Sequence, residues 1–160
     1  MELGTVASIW RYPVKSLHGE ALRAAVVLGD GIEGDRTSAL LVKSGHPRGG
    51  KTYRGKENNG LHLVDDTGAA LALAATRGVD ATVVDDELRY FDDAPVSILI
   101  DRWLDGLSAH MGFSVEPERF RPNFFVHAAM GFVLDEAALT GREIALGEVV
   151  LRVRYPIERC

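Results

Sequence analysis

The sequence predicts an α+β, β-rich domain built on a curved sheet or barrel with one or two helices. Three observations point there. Short β-branched and aromatic runs are bounded by Gly, Pro and Asp; one longer segment alone repeats its apolar residues at three- and four-residue steps; and strands do not alternate with helices as in βαβ units. A single doubly wound α/β layer is the alternative. At 160 residues the chain is expected to form one domain, 1–160, because two full cores need more chain.

Thr5 to Trp10 (TVASIW) reads as a first strand that stops at Tyr12-Pro13, since proline cannot donate to a ladder. Leu22 to Leu28 (LRAAVVL) reads as a second, and GDGIEGDR after it as turns with positive φ. Ser38 to Val42 (SALLV) is a third. Residues 43–60, KSGHPRGGKTYRGKENNG, hold five glycines and almost no apolar side chains, which predicts an exposed loop. Ala69 to Arg77 is a short alanine-rich helix stopped by Gly78. Thr82 to Val84 and Leu88 to Phe91 flank Asp85-Asp86-Glu87 as a hairpin. Val96, Leu99, Ile100, Trp103, Leu104, Leu107 and Met111 predict a helix over 96–111, with Pro95 at its start. Phe124 to Val126 is a strand, and Glu143 to Val153 a pair of strands turning at Gly147-Glu148.

The composition is that of an ordinary globular chain, 46% hydrophobic and 26% charged. A net charge of −5 argues against nucleic acid or an anionic membrane as partner, so any anion site is local. No apolar run reaches the length of a membrane span and the N-terminus lacks the regions of a signal peptide, which predicts a cytoplasmic protein. One cysteine, Cys160, allows no internal disulfide. The five histidines show no zinc spacing, and no G-x-S-x-G elbow, P-loop or G-x-G-x-x-G is present. Asp35, Asp65, Asp66, Asp92 and Asp93 read as turn residues.

Chemistry concentrates at strand ends. Lys15-Ser16 follows the first strand, Arg36 follows the Gly-Asp turn, and Arg119-Phe120-Arg121-Pro122-Asn123 precedes another strand. A lysine point charge and the planar fork of arginine can converge on one phosphate. Taken singly, Lys15 and Arg36 read first as solvated surface cations. Pro122 is expected to force Arg121 into extended backbone, while Asn123 keeps donor and acceptor capacity. Cys160 follows Arg159, a neighbour that favours the nucleophilic thiolate, but the terminal carboxylate opposes this. Arg54 and Lys56 in the long loop are further candidates for contact with a substrate or partner.

These residues, in this order, resemble the MOSC domain, the family named for the C-terminal domain of molybdenum cofactor sulfurase. The resemblance rests on IWRYPVKSLHGE (9–20), GIEGDR (31–36), YFDDAPVSIL (90–99), RFRPNFFV (119–126) and LGEVVLRVRYPIERC (146–160). It implies a barrel-like fold and a pocket for the molybdenum cofactor (molybdopterin), a pterin carrying a phosphate and a dithiolene-held metal. The positions it carries over are Lys15, Ser16, Arg36, Arg121 and Asn123 around that cofactor, with Ser97 from the PVSI segment. Cys160 is implied as the molybdenum ligand or as a persulfide carrier. The reaction implied is reductive cleavage of an N–O bond or sulfur transfer; the alternatives are a carrier module without turnover and a remnant that binds no cofactor. Pyridoxal phosphate would reside only on a partner, a cysteine desulfurase; an electron-transfer protein is the other partner implied. Relatives generally continue past this cysteine with strands that close the barrel. The chain is therefore expected to be incomplete at the C-terminus, with an exposed sheet edge suited to a homodimer.

Overall fold

A computed structural model describes residues 2–86 and 88–157. They form two compact units, residues 2–9 with 96–157, and residues 10–95. Among the described residues two α-helices and ten short strands make the fold α+β and β-rich, and the sheets are open.

In the first unit, β1 (Gly4–Arg11) contributes its N-terminal part. It pairs antiparallel with Phe124–Ala128, with an irregularity between Val6 and Ser8. That partner in turn pairs in parallel with Ile98–Ile100. The expected helix over 96–111 is thus a strand followed by a helix, Asp101–Met111. The run VSILI is continuous and β-branched rather than amphipathic, and Leu99 and Ile100 are both buried, as happens in a strand covered on two faces. Asp101 opens the helix instead of Pro95. Gly112 ends it in the left-handed region at φ 74°, its N–H donating to Ser108 O. A hairpin of Glu143–Leu146 and Val149–Arg152 turns at Gly147, φ 58°, where the sequence places it. Ile100, Val126, Phe132 and Leu139 form the core of this unit, and Leu99, Leu104 and Val115 a second cluster.

In the second unit the expected strand 22–28 is not continuous. β2 (Glu20–Leu22) ends at Leu22, and β3 (Val27–Leu28) pairs only with β4 (Gly31–Ile32) across Gly29-Asp30. Arg23, Ala24 and Ala25 offer no alternating apolar face to hold a longer strand. Ser38–Val42 forms β5 as expected and pairs antiparallel with β6 (Ala81–Asp85). This pairing replaces the 82–91 hairpin: the apolar partner of Thr82 to Val84 is the buried β5, and 88–91 holds no strand. α1 (Thr67–Thr76) is capped by Asp66, whose carboxylate accepts from Gly68 N and Ala69 N, and buries Ala70 and Ala74. The loop 43–60 is only partly exposed. Tyr53 is 3% exposed, its N–H donates to Leu40 O at 2.7 Å, and its ring joins Leu17, Leu40, Val42 and Leu61 in the core. Arg48 and Arg54 both pair with Glu57 across the loop. One aromatic ring and one shared carboxylate order a segment whose composition is otherwise that of a solvated excursion.

In chain order the remaining strands are β7 (Ile98–Ile100), β8 (Phe124–Ala128), β9 (Glu143–Leu146) and β10 (Val149–Arg152), and Asp101–Met111 is α2.

Candidate anion-binding site

The segment leaving β1 and the Gly-Asp-Arg turn are joined by one bond to a side chain and three between backbones. Tyr12 N donates to Asp35 Oδ1 at 2.7 Å, Arg36 N to Tyr12 O at 2.7 Å, Ser38 N to Pro13 O at 3.1 Å, and Lys15 N to Ser38 O at 2.8 Å. Proline lacks an N–H, so residue 13 contributes its carbonyl alone, and Val14 and Ser38 form an isolated parallel bridge. These bonds hold Lys15 and Arg36 in fixed positions in one unit. Both sequence candidates are inside the protein rather than solvated: Lys15 is 8% exposed, and the Arg36 guanidinium sits over the Tyr12 ring at 4.9 Å while pairing with buried Asp35.

Lys15 Nζ pairs with Asp92. Burial alone would raise the Asp92 carboxyl, but the Lys15 hydrogen bond and the charges of Lys15, Arg36 and Arg54 outweigh it and hold the group below the usual carboxylate range. Three cations therefore act on one carboxylate. Arg54 emerges next to Tyr53, whose backbone is tied to Leu40 on the same strand, β5, that holds Lys15 through Ser38. Arg89 braces the turn. It pairs with Asp30 and donates from Nη1 to Ile32 O at 3.0 Å and Asp35 O at 2.9 Å, while the next residue, Tyr90, donates its N–H to Arg36 O at 2.8 Å. Asp35 and Asp92, which read as turn residues in the sequence, are charge partners of the site. Arg89 carried no pattern that marked it.

Ser97 and Asn123 meet in the other unit. Asn123 is 1% exposed; its Oδ1 accepts from Ser97 N at 3.1 Å and Ser97 Oγ at 3.2 Å, while its own N–H donates to Ser97 O at 3.0 Å. The pair fixes where β7 and β8 begin. Arg121 is not extended as expected. It takes φ 50°, ψ 50° as the cap of the 3-10 turn Pro117–Phe120. Pro122 excludes the right-handed helical region, and the end of a helical turn escapes it on the left-handed side.

Ser16, Arg36 and Arg121, at φ 68°, 51° and 50°, are the non-glycine residues with positive φ among those described. All three are sequence candidates. Strain of this kind concentrates at functional sites, since a side chain held there has to be held by its surroundings. The cleft of about 400 Å³ in the first unit, lined by Val6, Ile98, Ile100, Val126, Leu139 and Ile144 among others, contains none of the candidates.

Two family models match the chain: the MOSC N-terminal beta barrel domain over residues 3–96 and the MOSC domain over 85–160. The chain belongs to the MOSC family. No curated protein and no solved structure matches it. The MOSC domain family is associated with the molybdenum cofactor. The donor set in this MOSC protein fits the phosphate of such a group: a buried ammonium, Lys15, already holds the carboxylate of Asp92, and the guanidinium of Arg36 is carried by a turn bonded to the same segment. Among the described residues no cluster of three His, Cys, Asp or Glu side chains can hold a metal ion. Cys160, the expected metal ligand, lies outside the described residues. No helix of the described residues is long and apolar enough to cross a membrane.

Proposed function

We propose that this MOSC protein binds the molybdenum cofactor and holds its phosphate with Lys15 and Arg36. The observation that carries the reading is the buried Lys15 ammonium, held by backbone bonds to the turn that carries Arg36. A buried lysine is costly without an anion, and the carboxylate that pairs with Lys15 is the exposed Asp92, so the position is suited to an anion that arrives from solvent.

Ser16, next to Lys15, offers a hydroxyl at the same turn. Arg121 and the Ser97–Asn123 pair are assigned as cofactor-binding on the family motif alone, with Ser97 setting the Asn123 amide. Cys160 is assigned as metal ligand or persulfide sulfur. When bound, the cofactor supplies two-electron redox chemistry or accepts sulfur, which suits reductive cleavage of an N–O bond or sulfur transfer in the cytoplasm. The chain's own part is to bind and orient: the cations neutralise the phosphate, and the backbone bonds from Tyr12 to Ser38 keep them in place. Electrons or sulfur come from a partner protein, an electron-transfer protein or a pyridoxal-phosphate cysteine desulfurase.

The test is molybdenum by elemental analysis and pterin by fluorescence after oxidation, on protein made in a host that synthesises the cofactor. Near-stoichiometric content in the parent protein, falling at least about tenfold in Lys15→Ala and Arg36→Ala, is expected. Absence of both molybdenum and pterin from the parent protein would overturn the reading. Cys160→Ser separates turnover from binding: it should abolish activity and leave pterin content largely intact.

A further inference from the structure

The carboxylate that pairs with Lys15 differs from the one that pairs with Arg36. Asp35 is buried, 3% exposed, and accepts both the Tyr12 N–H and the Arg36 guanidinium; it cannot leave without stranding a backbone donor. Asp92 has a side chain that is 67% exposed, although the Lys15 side chain it meets is only 10% exposed. The cation is built in and the anion reaches it from the solvent side. Asp92 can return to water at little cost, whereas Lys15 cannot.

The chain around Asp92 has the form this requires. Among the described residues no strand or helix lies between β6 and β7. It is anchored on one side by Arg89, bonded to Asp30, Ile32 O and Asp35 O, and by Tyr90 N on Arg36 O. On the other side Pro95 packs on Gly31, where a Cβ would lie 3.0 Å from Pro95 O. Asp92 lies between these anchors in the chain, so its side chain can move without dislodging either.

We propose that Asp92 is a resident anion, an internal occupant of the Lys15 site that an incoming phosphate group displaces. The inference rests on the reading of Lys15 and Arg36 as an anion site and adds how that site selects its ligand. A monoanionic carboxylate exchanging with Asp92 gains no charge interaction over what it displaces. A phosphate monoester near its dianionic form brings a second negative charge to the buried Lys15, together with a third acceptor oxygen. Asp92 thereby sets a threshold that phosphate passes and carboxylate metabolites do not.

The test is titration of the full chain by calorimetry with inorganic phosphate and, separately, with acetate, for the parent protein, Asp92→Asn, Asp92→Ser and Lys15→Ala. Removing the resident charge should tighten phosphate at least about fivefold in both Asp92 variants, the scale of a part-exposed ion pair. Acetate should tighten by about the same factor, since a resident competitor weakens equally every anion that has to displace it. Phosphate affinity in both Asp92 variants equal to or weaker than that of the parent would overturn the proposal. If Lys15→Ala abolishes phosphate binding while the Asp92 variants bind like the parent, the anion site stands and the resident-anion role falls. If phosphate binding is indifferent to Lys15→Ala, the site itself falls, and with it the inference.

Discussion

Ser16 holds φ 68° although a serine side chain makes the left-handed region unfavourable, by roughly 1–2 kcal/mol relative to right-handed backbone. Glycine would relieve that cost, so selection for stability alone would place glycine there. The same turn sets Lys15 beside the Tyr12 and Ser38 backbones, and the hydroxyl of Ser16 is what glycine lacks. Ser16→Gly is therefore expected to raise the urea midpoint, by the equivalent of about 0.5–1 kcal/mol, while lowering molybdenum and pterin content. A variant that lost stability would show that the turn is not strained, and one that kept full cofactor would remove Ser16 from the site. At this scale the sequence named Lys15, Ser16 and Arg36, since each lies in a short motif at a strand end. It gave no sign that Lys15 is buried. Its ion-pair partner is Asp92, 77 residues away in sequence, and no local pattern encodes that separation. Arg89 was silent for the same reason: its three anchor points, Asp30, Ile32 and Asp35, belong to a turn more than fifty residues earlier.

Elements were legible where one segment carries its own signal. β5 follows the SALLV run residue for residue, and the β9–β10 hairpin turns at its glycine. Where two periodicities abut, the longer one absorbed the shorter: Ile98 to Ile100 fit the helical spacing of the residues after them, yet their burial on both faces belongs to a strand. The 82–91 hairpin failed because strand pairing is chosen by the available apolar partner, and β5 offers β6 a longer one than 88–91 does. Gly4, at the start of β1, illustrates a constraint that no propensity reports. Its φ is 155°, and a Cβ there would stand 1.9 Å from His127 O, the backbone of the paired β8. The neighbour is main chain in a ladder and cannot swing aside. Gly4→Ala should cost about 2 kcal/mol or more, read as a lower urea midpoint with β8 amides exchanging faster by hydrogen exchange. Retention of the parent midpoint would mean that β1 and β8 pair more loosely at this end.

Net charge said that nucleic acid is a poor partner, but the charges that matter to this molecule are arranged in small paired sets. Glu57 and Asp92 in one unit and Asp101 in the other are each held below the usual carboxylate range. In all three, burial pushes the group upward and is outweighed: by Arg54 with the charge of Arg48 at Glu57, by Lys15, Arg36 and Arg54 at Asp92, and by the Ala128 N–H and His127 at Asp101. A carboxylate depressed in the folded state stabilises it at pH values above the unfolded group's value, about 4. That contribution is lost as pH falls from there through the lower folded values. Urea midpoints should therefore be flat from pH 7 to about pH 5 and drop steeply below about pH 4. Asp101→Asn keeps an acceptor for Ala128 N but has no charge to lose, so its acid drop should be shallower than the parent's. Asp92→Asn should also flatten the drop, provided the Lys15 pair persists in the absence of ligand. Phosphate should leave that acid profile unchanged, because below about pH 6 the group is monoanionic and has no charge advantage over the Asp92 carboxylate. Its affinity for the parent protein, read by calorimetry, should instead fall as pH drops from about 8 to about 6, and an affinity flat across that range would mean that the second charge of phosphate contributes nothing at Lys15.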